Sequence, residues 1–262
     1  MRKIARKILG KILSLYFVVF FLIVYVPLFV LMVFSFNDSF VVGLPWVGFT
    51  TKWYEQFLSN SSALGSILNT VVVGLTTAFL ATLGGMMAAF ALVRHKFRGR
   101  GIFNSLILIP MVLPYILMGV SISLLFQQIF HFELSLFTVA IGHTLVALPF
   151  STLTMVARLT GFDRSLEEAA MDLGADELTT FRKVTLPLIM PGIIASAFLA
   201  FTISFEDITL AYFLGGFEET LPMFIYGQLR YSTSLPMLSA LSVTMLSFSF
   251  VLSFISSIEA RL

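Results

Sequence analysis

Residues 167–175 have the sequence EEAAMDLGA, and VTLP follows at residues 184–187. The first segment is rich in charge, in contrast to the apolar stretches on either side of it. Apolar side chains recur at helical spacing and acidic side chains occupy most of the opposite face, which predicts a short amphipathic helix. The residues of the apolar face are Leu166, Ala169, Ala170 and Leu173.

The ends of this predicted helix carry their own signals. Asp163 or Ser165 can cap its N-terminus, where the helix dipole also favours acidic residues in the first turn. Gly174 can end the helix, or let a neighbour pack closely against it. The small residues Ala169, Ala170 and Gly174 would allow another surface to approach this helix at short range.

Residues 168–187 carry the pattern E-A-A, three residues, G, nine residues, V-x-L-P. This pattern resembles the EAA loop of permease subunits in binding-protein-dependent ABC importers. In that family the loop forms a coupling helix that docks into a cleft on the ATPase subunit. An interfacial amphipathic helix between two membrane spans is the alternative interpretation. The resemblance implies coupling roles for Glu168, Ala169, Ala170, Asp172, Leu173, Gly174, Leu186 and Pro187.

The composition predicts a polytopic membrane protein. Hydrophobic residues make up 58% and charged residues 11% of the 262 residues, whereas soluble domains average about 25% charged residues. The chain contains no cysteine, which excludes disulfides, a thiolate nucleophile and cysteine-ligated metals. Basic residues flank the apolar stretches, and their arrangement does not predict nucleic-acid binding.

Uncharged stretches predict six transmembrane spans within a single permease domain, residues 1–262. The first apolar run exceeds the roughly 7–15 residues of a secretory signal core, so it is expected to remain as a span. The loop between the fourth and fifth spans, residues 158–190, contains the EAA pattern. The spans are expected near residues 12–36, 66–93, 102–130, 134–157, 191–214 and 235–258.

The distribution of lysine and arginine predicts the orientation, because cytoplasmic loops of membrane proteins are enriched in these residues. With six spans, all of the 16 basic residues except Lys52 and Arg230 fall on one side. Both termini and the coupling loop are therefore expected in the cytoplasm. The basic side comprises residues 1–11, 94–100 and 158–183 together with Arg261.

Two adjacent acidic residues, Glu206 and Asp207, lie toward the outer end of the predicted fifth span. Charges at membrane depth are costly, which makes both candidates for contact with a transported solute. Neighbouring helical residues are about 100° apart, so only one of them can point directly into a pathway. The alternatives are a loop edge wetted from outside, or a structural pair with another subunit.

Aromatic residues near the predicted outer side complete the candidate pathway. Rings can hold a cationic solute, and the candidates are Phe205, Tyr212, Tyr115 and Trp46. Trp46, Trp53 and Tyr54 are alternatively expected to anchor the chain at the membrane interface. His143 is expected to make a hydrogen bond between helices rather than to relay protons, and Gly84 with Gly85 predicts close helix packing.

Further segments are similar to the spermidine/putrescine branch of the EAA-loop permeases. These are GFTTKWY at residues 48–54, RHKFRG at 94–99, SFEDI at 204–208 and LPMFIY at 221–226. The same branch also includes permeases for other small amines, opines and phosphonates. One departure is Tyr115, which follows Pro114 where polyamine permeases often carry an acidic residue.

The resemblance implies an all-α type I importer permease with five core helices around a pathway and a peripheral first helix. It implies a heterodimer with a second related permease in the bacterial inner membrane, two ATPase subunits and a periplasmic solute-binding protein. The chain itself is expected to be no enzyme and to hold no metal or cofactor, since ATP and Mg²⁺ belong to the partner ATPase.

Two other functions would require different features of the sequence. A stand-alone secondary transporter would show inverted internal repeats, and the sequence shows none. An intramembrane enzyme would carry a nucleophile paired with a base, or metal ligands, within its spans. The sequence lacks G-x-x-x-x-G-K-[ST], H-E-x-x-H and G-x-S-x-G motifs, so a permease remains the favoured interpretation.

Overall fold

The computed structural model describes residues 2–259, except for the side chains of residues 2–9, 252, 253 and 255–259. Arg261, part of the predicted basic side, lies outside the described residues. Regular secondary structure in the described part is helical, as predicted. In chain order the α-helices are α1 (Arg2–Phe34), α2 (Lys52–Leu58), α3 (Ser61–Arg94), α4 (Arg100–Leu108), α5 (Tyr115–Leu124), α6 (Leu136–Thr160), α7 (Ser165–Asp172), α8 (Glu177–Thr180), α9 (Leu186–Glu206), α10 (Thr209–Leu214), α11 (Leu221–Gln228) and α12 (Leu235–Glu259).

Five stretches of helix are long and apolar enough to cross a membrane, and a sixth crossing is available if one bent pair counts as a single span. The apolar side chains from Gly10 to Val30 are all exposed within the chain, so this part of α1 is available to lipid or to another subunit. The five stretches are Gly10–Phe34, Ser61–Arg94, Leu136–Thr160, Glu177–Glu206 and Ser232–Val251.

The predicted third span, residues 102–130, is not a straight helix. Arg100–Met111 and Tyr115–Ile129 meet at an angle of 104°. Pro114 has an extended backbone, with φ −60° and ψ 128°. Proline lacks an amide hydrogen and disfavours the helical conformation of the residue before it, so the helix stops at this point and restarts.

The contacts of the chain divide it into two compact units. The first contains Met1–Ser61 and Ile225–Ser247, and the second contains Ser62–Phe224 and Phe248–Leu262. The second unit holds the segments that carry most of the predicted site residues.

Small residues bring α3 and α6 together in the second unit. A methyl group added at Gly85 would lie 2.7 Å from the Ser151 Cβ and 2.8 Å from the Thr152 nitrogen, so only glycine fits. This confirms the predicted close packing at Gly84 and Gly85. One turn further along each helix, Ala89 and Met155 belong to a buried core with Leu159 and Ile189. Leu159 is 2% exposed, and truncating such a leucine to alanine costs about 2–5 kcal/mol.

In the first unit, an ordered loop follows α1 and is organised by Asn37. The Asn37 amide nitrogen donates to the Gly43 carbonyl at 3.1 Å and to the Pro45 carbonyl at 3.3 Å. Its side-chain oxygen accepts the Val47 backbone N–H at 2.9 Å. Because Asn37 is 1% exposed, these bonds replace water around a buried polar group and fix the path of the loop.

The predicted membrane anchor Trp53, on α2, packs against this loop. Its side chain is 3% exposed, and its indole N–H donates to the Asn37 carbonyl at 2.8 Å. Tyr54 likewise stacks on Phe36, with ring centroids 5.0 Å apart. The anchor interpretation is therefore wrong for Trp53, whose burial gives the loop a core, whereas Trp46 is 44% exposed and can still serve as an anchor.

Candidate functional site

The EAA segment forms an exposed helix, α7, between the ends of two spans. Its first turn is capped by Asp163, whose Oδ1 accepts the Ser165 backbone N–H at 3.0 Å. That backbone hydrogen bond, with a second one from the Ser165 side chain, lowers the pKa of the Asp163 carboxyl from its ordinary value. Of the two predicted capping residues, Asp163 is the one that caps the helix.

Glu167 fastens α7 to the rest of the second unit. Its carboxylate receives Arg94 Nη1 at 2.9 Å on one oxygen and Arg94 Nη2 at 3.0 Å on the other. The Thr185 hydroxyl donates to the same carboxylate at 2.6 Å. The Arg94 and Glu167 side chains are only 14% and 16% exposed, so this two-pronged pair connects α7 to the end of α3 and the start of α9.

Glu167 was not among the predicted coupling residues, which began at Glu168. Glu168 is exposed instead, and forms only a 3.7 Å ion pair with Arg164 one turn away. The two glutamates are adjacent, so they point about 100° apart. The sequence could have suggested that only one of them faces inward, but the partner Arg94 is 73 residues away in the chain.

The side of α7 opposite Glu167 is free of contacts that would bury it. Leu173 is 90% exposed and Leu166 is 47% exposed, and Ala169 and Asp172 are exposed between them. We call these four residues the docking face. Ala170 is half-buried, so it lies at the edge of this face rather than at its centre.

Gly174 ends α7 for a backbone reason. Its φ is +90°, and an added Cβ would meet nothing within 4 Å. Its N–H donates to the Met171 carbonyl at 2.9 Å, and the Ala175 N–H donates to the Ala170 carbonyl at 3.1 Å. These two bonds form a Schellman motif, in which glycine adopts the left-handed conformation at low cost.

The VTLP part of the pattern lies where the fifth span begins. Thr185 is 2% exposed and bonds to Glu167. Leu186 is half-buried and Pro187 is exposed, and both lie in the first turn of α9. A proline is tolerated here because the π-helical turn directly before α9, Phe181–Thr185, already departs from the regular hydrogen bonding that proline would interrupt. The two halves of the EAA pattern are therefore joined through Glu167 and Thr185.

The predicted fifth span, residues 191–214, is also interrupted. It starts earlier than predicted, with α9, and α9 ends at Glu206. Asp207 has an extended ψ of 123°, and its Oδ1 accepts the Leu210 backbone N–H at 2.7 Å. Aspartate competes with the helix for backbone N–H groups, so Asp207 ends α9 and caps the start of α10.

Asp207 is also part of a buried polar chain. Its Oδ1 lies 3.4 Å from His143 Nε2, and the two side chains are 10% and 1% exposed. His143 Nδ1 lies 2.7 Å from the Ser204 Oγ, and Ser204 Oγ donates to Thr77 Oγ1 at 3.3 Å. This series of polar side chains runs from Thr77 on α3 through Ser204 on α9 to His143 on α6. It contains the hydrogen bond between helices that was predicted for His143.

The structure separates the two predicted acidic residues. The Asp207 side chain points inward to His143, whereas the Glu206 side chain is exposed. Tyr115, another predicted pathway residue, is half-buried and lies within electrostatic reach of Asp207. Of the predicted pathway residues, Asp207 and Tyr115 are therefore brought together.

The other aromatic candidates are dispersed. Phe205 is 4% exposed, stacks on Phe201 with ring centroids 5.4 Å apart and packs at a tilt against Phe248 at 5.3 Å, so its ring contacts other rings of the same chain. Tyr212 is 65% exposed. Trp46 belongs to the first unit, where its ring lies 6.4 Å from that of Phe34.

A polytopic helical bundle with an exposed amphipathic helix fastened between two spans defines a class of membrane transport subunits. The sequence agrees with this class. The chain belongs to the family of binding-protein-dependent transport system inner membrane components, which matches residues 81–262. It is thus a permease subunit of an ABC importer, and its relatives are transport permeases.

Within this family the chain is similar to two permeases of Escherichia coli (strain K12). It is 37% identical over 237 residues to the spermidine/putrescine transport system permease protein PotC, covering 90% of this chain and 89% of PotC. It is 34% identical to the putrescine transport system permease protein PotI, covering 88% of this chain and 84% of PotI.

The fold has a solved counterpart as well. The chain matches a bacterial ABC transporter involved in the import of the acidic polysaccharide alginate, with a TM-score of 0.75 at 15% identity, over 99% of this chain and 97% of that one. At this identity the match shows the fold alone. It confirms the predicted all-α type I importer permease architecture.

Proposed function

We propose that this chain forms half of the translocation pathway of an importer for a polyamine such as spermidine or putrescine. The observation that carries the proposal is the 37% identity to PotC over 90% of the chain. The whole of residues 1–262 would act as one permease domain. A second, related permease would supply the other half of the pathway.

Glu206 is the residue on which the proposed solute contact rests. It is exposed at the end of α9, where the helix stops. A carboxylate at membrane depth recovers part of its desolvation cost from a positive partner, and an ammonium group of a polyamine is such a partner. Asp207 already has His143 and the Leu210 N–H, so it is less available to a solute.

The outer segments contribute less negative charge than their composition suggests. Asp38 forms an ion pair with Lys52, and Glu218 Oε2 accepts the Leu136 backbone N–H at 2.9 Å. Glu55 accepts the Thr51 hydroxyl at 3.1 Å. Only Asp38 is neutralised by an opposite charge, since a hydrogen bond leaves the charge on Glu218 and Glu55. Attraction of a cation from solution would therefore depend on Glu55, Glu133, Glu218 and Glu219 together with Glu206.

The docking face of α7 is proposed to seat in a cleft on an ATPase subunit. Its apolar residues are exposed to solvent in the isolated chain, and Glu167 holds the helix to two spans, so force on α7 would reach both α3 and α9. A complex with two ATPase subunits, which would bind ATP and Mg²⁺, and a periplasmic solute-binding protein follows from this role. Both termini would lie in the cytoplasm, as the basic residues predict.

Uptake by the reconstituted importer tests the proposed solute contact. Glu206→Gln keeps the size of the side chain and removes its charge, so it is expected to cut spermidine uptake at least tenfold while the complex assembles normally. Glu177→Gln makes the same chemical change at an exposed glutamate on α8 and should leave uptake unchanged. Normal uptake by Glu206→Gln would return Glu206 to a structural role.

Competition identifies the class of solute. Unlabelled putrescine should compete with labelled spermidine for uptake by the complex that contains the cognate binding protein. Competition by an opine or a phosphonate, and none by putrescine, would instead assign the chain to another solute of this permease branch. Tyr115, which stands where polyamine permeases often have an acid, is the residue in which such a difference would lie.

A further inference from the structure

The buried polar chain between α3, α6 and α9 restricts where its protons can be. The Thr77 hydroxyl donates to the Ala140 carbonyl at 3.5 Å, and the Ser204 hydroxyl donates to Thr77 at 3.3 Å. A hydroxyl has one proton to donate. With its proton directed to Thr77, the Ser204 hydroxyl accepts from His143 Nδ1, 2.7 Å away, and in this arrangement that nitrogen carries a proton.

The other ring nitrogen then faces a carboxylate. His143 Nε2 lies 3.4 Å from Asp207 Oδ1 and makes no hydrogen bond with another described group. A neutral imidazole with its proton on Nδ1 would point a lone pair at the lone pairs of Asp207. Asp207 Oδ1 also accepts the Leu210 N–H at 2.7 Å. The arrangement fits an imidazolium facing a carboxylate.

We propose that a protonated His143 and an ionised Asp207 form a charge pair that holds the break between α9 and α10 and so sets where Glu206 points. Glu206 directly precedes the extended residue of the break, so the backbone at Asp207 determines its position. His143 and Asp207 are positioning residues, and their importance for transport rests on the proposed role of Glu206.

The stability of each charge in the pair depends on the other. Removing either charge leaves the other one buried without a partner, whereas removing both leaves neutral groups. Two further ionisable groups are close to it. Tyr115 on α5 lies within electrostatic reach of Asp207, and Glu206 is its neighbour in sequence. The effects of these two groups must be distinguished from the effect of His143 in any measurement.

The position of residue 206 can be measured directly, because the chain contains no cysteine. A Glu206→Cys variant of the full importer in membranes is labelled with a neutral thiol reagent, and the rate is compared with that of a Glu133→Cys variant in an outer segment. Adding His143→Gln is expected to change the rate at position 206 at least fivefold and to leave the rate at position 133 unchanged.

Variants on the same helices give the controls. Ser204→Ala removes the acceptor of His143 Nδ1 without removing a charge, and it should shift the rate at position 206 in the same direction. Thr202→Ala deletes a hydroxyl that bonds only within its own helix, to the Phe198 carbonyl at 2.9 Å, and it should change nothing. His143→Gln combined with Asp207→Asn should return the rate toward that of the parent.

An unchanged rate in both His143→Gln and Ser204→Ala would overturn the proposal. The proposal would also be overturned if the change in labelling rate of the double variant equalled the sum of the changes measured for His143→Gln and for Asp207→Asn alone. If the His143→Gln protein accumulates poorly, the labelling rates of Ser204→Ala and of the double variant test the proposal instead. If labelling responds as expected but Glu206→Gln transports normally, the positioning stands and the proposed solute contact of Glu206 fails.

Discussion

Two pairs of adjacent acidic residues, Glu167–Glu168 and Glu206–Asp207, show the same division of labour at opposite ends of α9. In each pair one carboxylate is bound inside the chain and its neighbour is exposed. Glu167 is held by an arginine, which is charged at all relevant pH values. Asp207 faces a histidine, which can lose its charge. The comparison suggests a permanent attachment at the coupling helix and an adjustable one beside the proposed pathway.

The largest effect is expected from breaking the permanent attachment. Glu167→Gln leaves the Arg94 guanidinium without its carboxylate, and removing one member of a buried pair costs about 3–5 kcal/mol. Because α7 would lose its hold on α3 and α9, the purified complex should lose its ATPase subunits. Thermal unfolding and the ATPase content of the complex measure the two consequences.

Glu168→Gln is the matched control for this experiment. It disrupts only an exposed ion pair with Arg164, which is worth about 0–1 kcal/mol, so stability and ATPase content should stay near those of the parent. Equal damage from both substitutions would show that the distinction between the bound and the exposed glutamate has no functional meaning.

A smaller effect is expected on the exposed side of the same helix. Leu173→Asp places a charge at the centre of the docking face and should weaken ATPase binding by about 2 kcal/mol or more, roughly 30-fold. The permease should remain as stable as the parent, because Leu173 is 90% exposed. Titration of the ATPase against the permease in detergent measures the change.

Leu178→Asp makes the same change at an exposed leucine of α8, outside the docking face. It should bind the ATPase like the parent. If it weakens binding as much as Leu173→Asp does, the surface that docks must extend beyond α7, and the definition of the docking face would have to include α8.

One hydroxyl beside each bound carboxylate allows a finer comparison. Thr185 bonds to Glu167 itself, and Ser204 bonds to His143, the partner of Asp207. Thr185→Ala removes one hydrogen bond but leaves Glu167 paired with Arg94, so it should cost about 0.5–1.5 kcal/mol. Ser204→Ala leaves a buried His143 N–H without an acceptor and should cost about 1–3 kcal/mol. Thermal unfolding of both variants gives the order, and the reverse order would argue against a protonated Nδ1.

The smallest effect concerns the cap of α7. The pKa of Asp163 is lowered by the Ser165 N–H, so its stabilisation is present at neutral pH and is lost as pH falls through the lowered pKa, below the ordinary 3.8. Amides in the first turn should then exchange a few times faster relative to an Asp163→Asn variant, which does not titrate. A constant ratio between parent and variant from pH 5 to pH 2.5 would contradict this cap.

Much of the fold was accessible from the sequence because apolar runs and basic flanks are local signals. The geometry of the interruptions was not predicted. Proline can bend or end a helix, but the 104° angle at Pro114 depends on packing. The stop after Glu206 depends on whether Asp207 finds the Leu210 N–H and His143, and those contacts form only when the helices assemble.

In the candidate site, too, local signals were easier to predict than contacts between distant parts of the chain. Leu166, Ala169 and Leu173 of the docking face followed from helical spacing, which is local, whereas Asp172 was expected on the opposite face. The docking role of these residues stays a proposal. Glu167 was overlooked because its partner Arg94 lies on another span. Trp53 was misjudged because an outer tryptophan resembles an anchor until Asn37 provides an acceptor for its indole N–H.

The bent pair of helices has a consequence for the number of times the chain crosses the membrane. The basic residues at 94–100 and 158–183 share one side only if an even number of crossings separates them. Because α6 would be one crossing, the predicted orientation requires the bent pair to be the other. Neither Arg100–Met111, about 18 Å long, nor Tyr115–Ile129, about 22 Å long, spans a core of about 30 Å by itself.

With the predicted orientation, the chain would pass through the middle of the bilayer at the break between these helices. Val112 beside the break is 84% exposed, and the break would place non-helical backbone at membrane depth. Lipid tails offer such backbone no hydrogen bonds, so it would have to adjoin protein or water. The break would then mark a side of this subunit that faces away from the lipid.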